Sequence, residues 1–310
     1  MHQGQRAVVT GATNGIGEAI ARQLAAEGMT VVLVGRSDQR LHQAHQRILA
    51  AVPDAELLVE RADLSLLGEV RELAKRLAEQ PPPEVVVSNA AVIAELGDLT
   101  AEGLQRALAT NHLAPYLLLR SLVEPIGQRP ARFVVVGASP TGLRRAPVDL
   151  DDLGFQAGRG LGPLPSFRPF VAYARTKNMN AMFVYALARR LQGTNITVNG
   201  AHPGIIQRTG LGQGTARGAL RLFSAVLALR PSRPGPDTGA DTPVWLATAP
   251  EVDGISGRFF VDRKQVATAP HTTDLARCDR LWDESARLVG LASSLWTPPG
   301  SRHGAGFTGL

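Results

Sequence analysis

The segment Ala7-Val8-Val9-Thr10-Gly11-Ala12-Thr13-Asn14-Gly15-Ile16-Gly17 lies near the start of this 310-residue chain and predicts a short buried strand, a glycine-rich turn and the first turn of a helix. In such a turn Gly11 permits the tight bend, Gly15 lets the backbone approach a pyrophosphate and Gly17 allows close helix packing. The free N–H groups at the helix start favour an anion. The segment therefore predicts a dinucleotide-binding strand–turn–helix unit.

The rest of the chain continues this alternation of strands and helices. Strands are predicted near 7–10, 31–35, 56–60, 84–88, 132–137, 195–201 and 258–262. Helices are predicted near 15–27, 38–50, 66–79, 102–127, 173–192, 212–229, 238–248 and 272–290. Continuous apolar strands that alternate with helices indicate a parallel sheet covered on both faces. We predict one α/β domain over 1–291, a doubly wound Rossmann-type fold with a seven-stranded parallel sheet, and a flexible tail over 292–310.

Two segments of unusual composition interrupt the alternation. Residues 140–170 are rich in Gly, Pro and Arg, and residues 205–237 contain the apolar stretch 219–227 followed by a Pro-rich loop. Ligands of open α/β sheets bind beyond the carboxyl ends of the strands. We expect both segments to border that crevice, with 219–227 as the wall of an apolar substrate pocket; an oligomer contact or an ordinary core helix is the alternative.

The second predicted strand ends at Gly35-Arg36-Ser37. An acidic residue at this position would hold the ribose hydroxyls of NAD, whereas a guanidinium suits the 2′-phosphate of NADP. Arg36 therefore predicts NADP(H) in preference to NAD(H). The alternative is a solvated arginine in an arginine-rich chain.

Tyr173 and Lys177 form the most informative pair of side chains. The chain has only three lysines and three tyrosines, and two of these six residues lie four positions apart. On a helix this spacing places both on one face. An ammonium beside a phenol lowers the phenol pKa from about 10. Tyr173 is therefore a candidate general acid/base with Lys177 as its activating neighbour.

With these motifs the chain resembles the short-chain dehydrogenase/reductase superfamily over about residues 5–290. Further matching positions follow in the expected order. Asp63 and Leu64 resemble the pair that brackets the adenine ring. Asn89-Ala90-Ala91 resembles the segment after the fourth strand, and Asn111 the helix asparagine that holds a water in the proton relay. Pro203, Gly204, Ile206 and Thr209 resemble the turn beside the nicotinamide.

Within the superfamily the chain is similar to the retinol dehydrogenase-like branch, through the stretches 111–118, 186–191 and 281–285. The resemblance implies reversible hydride transfer between NADPH and a lipophilic aldehyde, ketone or alcohol. In that mechanism Tyr173 exchanges the proton, Lys177 holds the ribose and Asn111 positions the water. No metal is needed, and we assign none to Asp149, Asp151 or Asp152.

Two positions depart from the family pattern. An ungapped match places Ala138 where the family has its catalytic serine, and Ser139 comes one residue later. We expect Ser139 to supply the hydroxyl; Thr141, or no hydroxyl at all, remains open. Similarly, Arg208 stands where the family has a Thr or Ser, and Thr209 follows it. The displaced Ser139 leaves a non-catalytic NADP-binding regulator or scaffold as an alternative function. A reductase of carbon–carbon double bonds is a further alternative.

Composition limits the other possibilities. The net charge of +6 permits a nucleic-acid partner, but the arginines are scattered without an accompanying aromatic platform, so we expect none. The lone Cys278 indicates a reducing compartment. With no signal peptide or membrane anchor expected, we predict a cytoplasmic enzyme. The resemblance also implies a homodimer through helices 102–127 and 173–192, with a monomer as the alternative.

Overall fold

A computed structural model of the chain describes residues 2–139, 144, 146–204 and 235–295. One eight-stranded sheet lies at its centre, in the strand order β3-β2-β1-β4-β5-β6-β7-β8. The strands are β1 Arg6–Thr10, β2 Thr30–Gly35, β3 Leu57–Arg61, β4 Val85–Ser88, β5 Ala131–Val136, β6 Ile196–His202, β7 Phe259–Val261 and β8 Lys264–Gln265. The first seven are parallel, which confirms the predicted doubly wound sheet.

The eighth strand was not predicted. It pairs with β7 in the antiparallel sense through a turn at Asp262 and Arg263, which both have positive φ. Tight hairpin turns with two positive φ angles usually contain Asn-Gly or Asp-Gly. The Asp-Arg pair lacks the glycine that would have indicated this hairpin.

Helices cover both faces of the sheet. They are α1 Gly15–Ala26, α2 Asp38–Ala51, α3 Leu67–Ala78, α4 Arg106–Leu108, α5 Ala114–Ile126, α6 Arg168–Arg190, α7 Pro236–Thr248, α8 Pro270–Thr273 and α9 Leu275–Val289. The first three begin and end within one residue of the predicted bounds. The helix predicted over 102–127 instead begins at Arg106 and contains a π-helical turn, Ala109–Leu113. The predicted helix 212–229 lies outside the described residues.

The core is divided between the two faces of the sheet. Val8 and Val86 pack with α3, α5, α6 and α9, whereas Ala7, Val9 and Val87 pack with α1, α2 and α7. Successive side chains of a strand point to opposite faces, so a strand covered on both sides has no polar face. This burial explains the continuous valine runs of the sequence. Within the described residues no helix combines the length and apolar composition needed to cross a membrane.

The start of the predicted flexible tail is attached to the domain. The Arg120 guanidinium donates to the carbonyl oxygens of Ala292 and Ser294, and the Trp282 indole N–H donates to the Ser293 carbonyl. Arg120 also lies over the Trp282 ring, 4.5 Å from its centroid. Residues 292–294 are therefore held against α5 and α9. The domain boundary at 291 and the flexible tail remain predictions, and residues 296–310 lie outside the described part.

The crevice that positions the site lies between β1 and β4. The strand β1 pairs with β2 on one side and with β4 on the other, so the chain reverses its direction of travel across the sheet here. The loops after these two strands consequently diverge and leave an opening at their carboxyl ends. The residues after β1, β2, β4, β5 and β6 all face this edge.

Candidate active site

The glycine-rich turn joins β1 to α1 at the carboxyl edge of the sheet. Gly11 and Gly15 have φ angles of +67° and +57°, which residues with a side chain rarely adopt. A Cβ atom on Gly17 would overlap the Gly11 carbonyl oxygen and the side-chain nitrogen of Asn89. At the helix start, the Asn14 side chain makes no capping hydrogen bond to the first turn of α1. The turn thus leaves backbone N–H groups that can donate hydrogen bonds to an anion.

Thr10 fastens this turn to the segment after β4. Its hydroxyl oxygen accepts hydrogen bonds from the Asn89 and Ala90 amides at 3.0 and 3.1 Å, and the Asn89 side chain donates to the Thr10 carbonyl at 3.0 Å. Thr10 is a site residue that the sequence reasoning missed. In the sequence, the one indication of this role was a hydroxyl side chain at the end of a valine-rich strand. The structure therefore brings together the predicted residues 11–17 and 89–91.

Arg36 lies on a polar cleft of about 760 Å³ beside the glycine-rich turn. Four arginines line this cleft. Arg22 pairs with Asp237 and Arg47 with Glu18, whereas Arg36 and Arg40 have no carboxylate partner among the described residues. Two exposed guanidiniums therefore remain available to an anionic ligand at the end of β2.

Asp63 and Leu64 follow the neighbouring strand β3. The Asp63 carboxylate accepts a hydrogen bond from the Ser65 amide at 2.9 Å, and its own amide donates to Glu69 at 2.8 Å. Leu64 is buried in the core cluster on the α3 face. A contact of this pair with an adenine ring remains a prediction.

Tyr173 and Lys177 lie on α6, as their spacing predicted. Lys177 is buried, and its ammonium donates to the carbonyl oxygen of Val136 at 2.9 Å, which fixes it at the carboxyl end of β5. The same ammonium lies 5.7 Å from the centroid of the Tyr173 ring. Helix α6 therefore places both side chains at the edge where the other predicted residues meet.

The pKa values of this pair are governed by burial. Burial raises the pKa of the Tyr173 phenol above its usual 10.0 and lowers the pKa of the Lys177 ammonium to about 8. The expectation that Lys177 lowers the Tyr173 pKa was wrong for this structure. Removing both groups from water disfavours their charged forms, and burial is the cause of both shifts. The phenol consequently keeps its proton at neutral pH.

We predict a pH-dependent contribution of Lys177 to stability. The folded pKa near 8 is below the usual 10.5, so between these values the unfolded chain holds a proton that the folded chain has released. Stability therefore rises with pH across this window. Relative to Lys177→Met, the wild-type free energy of unfolding should increase by about 3 kcal/mol from pH 8 to 10.5. Urea denaturation followed by circular dichroism measures it.

Lys75→Met is the matched control, because Lys75 is exposed on α3. Its difference from the wild type should stay constant over the same pH range. Tyr173 is present in both the wild type and the Lys177→Met variant, so its own titration cancels in the comparison to first order. A Lys177→Met difference that is flat with pH would contradict the buried-ammonium interpretation.

Asn111 lies in the π-helical turn and is buried. Its side-chain oxygen accepts from the Val92 amide at 2.8 Å, and its side-chain nitrogen donates to the Val92 carbonyl and the Thr176 hydroxyl at 2.9 and 3.0 Å. Thr176 immediately precedes Lys177. The side chain of Asn111 thus connects the π-turn to α6 and to the segment after β4. Its predicted hold on a water molecule remains a prediction.

Ser139 and Ala138 follow β5. Ala138 packs against Ala146 and Ala174, the residue after Tyr173, so the position that matches the family serine lies against α6 as a methyl group. Ser139 is half-buried at the next position. Contact of its hydroxyl with the Tyr173 phenol remains a prediction, and Thr141 lies outside the described residues.

The remaining predicted positions follow β6. Gly204, after Pro203, has a φ of +82° and turns the chain at the carboxyl edge. Ile206 and Thr209 lie outside the described residues. Of the predicted site, the structure therefore describes the residues from the glycine-rich turn to Gly204 and brings them to one edge of the sheet.

Comparison with known proteins gives the class. Residues 5–148 match the family model described as short chain dehydrogenase. Retinol dehydrogenase 14 of Mus musculus is 32% identical over 94% of this chain and 87% of its own length. A protein of Streptomyces sp. (strain C5), provisionally named daunorubicin C-13 ketoreductase DnrU, is 34% identical over 93% of each chain. A crystal structure from Beutenbergia cavernae with NADP bound at low occupancy, provisionally described as an NAD(P)-dependent gluconate 5-dehydrogenase, is 25% identical, with a TM-score of 0.64 over 84% of this chain and 95% of its own.

The chain therefore belongs to the short-chain dehydrogenase/reductase family of oxidoreductases. Within that family it falls in the retinol dehydrogenase-like branch, as the motifs of the sequence implied.

Proposed function

We propose that this protein is an NADP(H)-dependent oxidoreductase that interconverts a lipophilic aldehyde or ketone and its alcohol, with Tyr173 as the general acid/base. The observation on which this rests is that Tyr173 lies beside Lys177 at the carboxyl end of β5, on the same edge of the sheet as the glycine-rich turn. A proton donor, a cation and a dinucleotide cradle at one edge suit the reduction of a carbonyl group.

The residues present fit a dinucleotide. The positive φ angles of Gly11 and Gly15 and the overlap that a Cβ on Gly17 would cause leave the turn open to a pyrophosphate. Arg36, together with Arg40, supplies positive charge where a ribose 2′-phosphate would lie. Lys177 would hold the ribose hydroxyls near the nicotinamide. When bound, the reduced nicotinamide supplies a hydride to the carbonyl carbon.

The protein residues supply the proton and stabilise charge. Burial keeps the Tyr173 phenol protonated at neutral pH, which suits a general acid that donates to the developing alkoxide. Ser139 would donate a hydrogen bond to the same oxygen. Asn111, through a water molecule, and Lys177 would resupply the proton. A protonated phenol is the form that the reductive half of the reaction requires.

The proposed substrate class takes support from two relatives. Their names assign one to retinol and, provisionally, the other to a ketone of daunorubicin. Both names denote organic molecules with an extended ring or conjugated system. The proposal places the enzyme in the cytoplasm, where its lone thiol, Cys278, suits reducing conditions.

One observation favours the alternative of a non-catalytic NADP-binding regulator. Ala138 lies against α6 at the position matching the family serine, so a hydroxyl is missing at that exact place. Loss of one such donor costs about 10²- to 10³-fold in rate. Turnover that disappears in Ser139→Ala would assign the hydroxyl to Ser139 and remove this alternative.

Arg36→Asp tests the cofactor assignment. We expect the ratio of kcat/KM with NADPH to kcat/KM with NADH to exceed one in the wild type and to fall by about 100-fold or more in the variant. The reason is that the change replaces a charge-assisted hydrogen bond, worth roughly 1.5–3 kcal/mol, by repulsion. Initial rates of retinal reduction, with a panel of other lipophilic aldehydes and ketones, measure the ratio.

Arg129→Asp makes the same change of charge at the amino end of β5, away from the cleft. It should leave the ratio unchanged. An Arg36→Asp ratio equal to that of the wild type would refute the NADP(H) assignment while leaving carbonyl reduction in place.

A further inference from the structure

Phe170 extends the face of α6 that presents Tyr173 and Lys177. It lies three residues before Tyr173 and seven before Lys177, spacings that place all three side chains on one side of a helix. Exposure rises along this face: Lys177 is 3% exposed, Tyr173 is half-buried and Phe170 is 45% exposed. The face therefore runs outward from the buried ammonium through the phenol to an open aromatic ring.

The rings of Phe170 and Tyr173 are neighbours. Their centroids lie 6.1 Å apart with 31° between the ring planes, within the range of aromatic contacts. An exposed phenylalanine ring is otherwise uncommon here, since Phe170 is one of few large apolar side chains exposed among the described residues. A molecule whose carbonyl oxygen meets the Tyr173 phenol would therefore bind next to a side chain whose aromatic neighbour is Phe170.

A small apolar cluster includes the residue that follows Tyr173 on α6. It is formed by Ala146 and Ala174, with Ala138 and Val171 packed against them. Ala146 and Ala174 are buried, so they contribute packing and little exposed apolar surface. Phe170, in contrast, is a large apolar side chain that is exposed and whose ring neighbours the Tyr173 ring.

We propose that Phe170 is a specificity-determining residue that stacks on a planar aromatic or conjugated group adjoining the substrate carbonyl. This inference rests on the proposed carbonyl reduction and narrows its substrate class from lipophilic carbonyl compounds to those with a flat π-system beside the carbonyl. A contact between an aromatic ring and a planar substrate group is favourable, because offset stacking contributes binding free energy beyond the burial of apolar area.

Two ketones of matched size test the inference: 2-acetylnaphthalene and its fully saturated 2-acetyldecalin analogue. In Phe170→Ala we expect kcat/KM for the aromatic ketone to fall about tenfold and for the saturated ketone less than about threefold. Phe170→Leu should restore the saturated ketone and leave the aromatic one low, because leucine keeps apolar area without a π-face. The KM for NADPH should not change.

Binding provides a second measurement that does not depend on turnover. With NADPH present, the Kd of 2-acetylnaphthalene by calorimetry should rise about fivefold or more in Phe170→Ala. Leu275→Ala is the matched control, since Leu275 is an exposed apolar residue at the start of α9. Both variants should keep the wild-type melting temperature because each removes a largely exposed side chain.

The outcomes separate the inference from the proposed function. If the wild type reduces both ketones and Phe170→Ala lowers both equally, the inference fails and carbonyl reduction stands. If the wild type reduces no carbonyl compound, the proposed function fails. The binding measurement then still decides, because a Kd that Phe170→Ala leaves unchanged overturns the inference and a raised Kd supports an aromatic subsite.

Discussion

Tyr173→Phe should abolish measurable carbonyl reduction, a loss on the order of 10³-fold in kcat, while the Kd for NADPH stays within about twofold of the wild type. The change removes one oxygen atom and leaves the ring beside Phe170 in place. General acid catalysis contributes about 10²- to 10⁴-fold, and Tyr173 is the proposed proton donor. Stopped-flow single turnovers with retinal measure the chemical step, and fluorescence titration measures NADPH binding.

Tyr185→Phe is the matched control on the same helix. Its hydroxyl contacts the Thr268 hydroxyl at 2.8 Å, further along α6 from Tyr173, so the substitution removes a hydrogen bond of similar kind away from the site. A small loss of stability with unchanged kcat is expected. If Tyr173→Phe retained more than about a tenth of wild-type kcat, another group would have to donate the proton, and the role assigned to Tyr173 would be wrong.

The fold could be predicted because its causes are local in the sequence. The runs of valine indicate strands buried on both faces. The glycines at 11, 15 and 17 indicate a turn whose positive φ angles and close contacts favour glycine. Each feature depends on a few consecutive residues. The β7–β8 hairpin was not predicted because Asp262 and Arg263 adopt positive φ without the glycine that normally indicates such a turn.

The electrostatics of the site could not be predicted from spacing. The separation of Tyr173 and Lys177 indicates a shared helix face, but the pKa of the phenol depends on how much water the surrounding chain excludes. Here the Lys177 ammonium donates to the Val136 carbonyl, from a strand far earlier in the chain, and burial raises the phenol pKa. Likewise, Thr10 joins the glycine-rich turn to Asn89 through contacts between residues distant in sequence.

Gly17 is the position where one added methyl group should do the most damage to the glycine-rich turn. A Cβ there would overlap the Gly11 carbonyl oxygen and the Asn89 side-chain nitrogen, and it would lie 2.8 Å from the Gly11 carbonyl carbon. Neither neighbour can yield easily. The Gly11 carbonyl is part of the backbone of a turn with positive φ. The Asn89 side-chain nitrogen is held by its hydrogen bond to the Thr10 carbonyl oxygen. The methyl group must therefore displace the turn or the start of α1.

Gly17→Ala should accordingly destabilise the fold by about 2 kcal/mol, the usual cost of overpacking, although alanine is the better helix former by up to about 1 kcal/mol. Displacement of the turn should also weaken NADPH binding by roughly 30-fold or more, since the backbone donors for the pyrophosphate would move. Thermal unfolding and fluorescence titration measure the two effects.

Gly68→Ala provides the comparison, because Gly68 also lies in the first turn of a helix, α3, and a Cβ there meets only the Glu102 carboxylate at an ordinary 3.5 Å. That variant should be as stable as the wild type or slightly more stable, by the helix propensity of alanine, with unchanged NADPH affinity. The contrast between two helical glycines separates the effect of propensity from that of close packing. Should Gly17→Ala behave like Gly68→Ala, the tight approach of α1 to its own turn would not be what shapes the cofactor cradle.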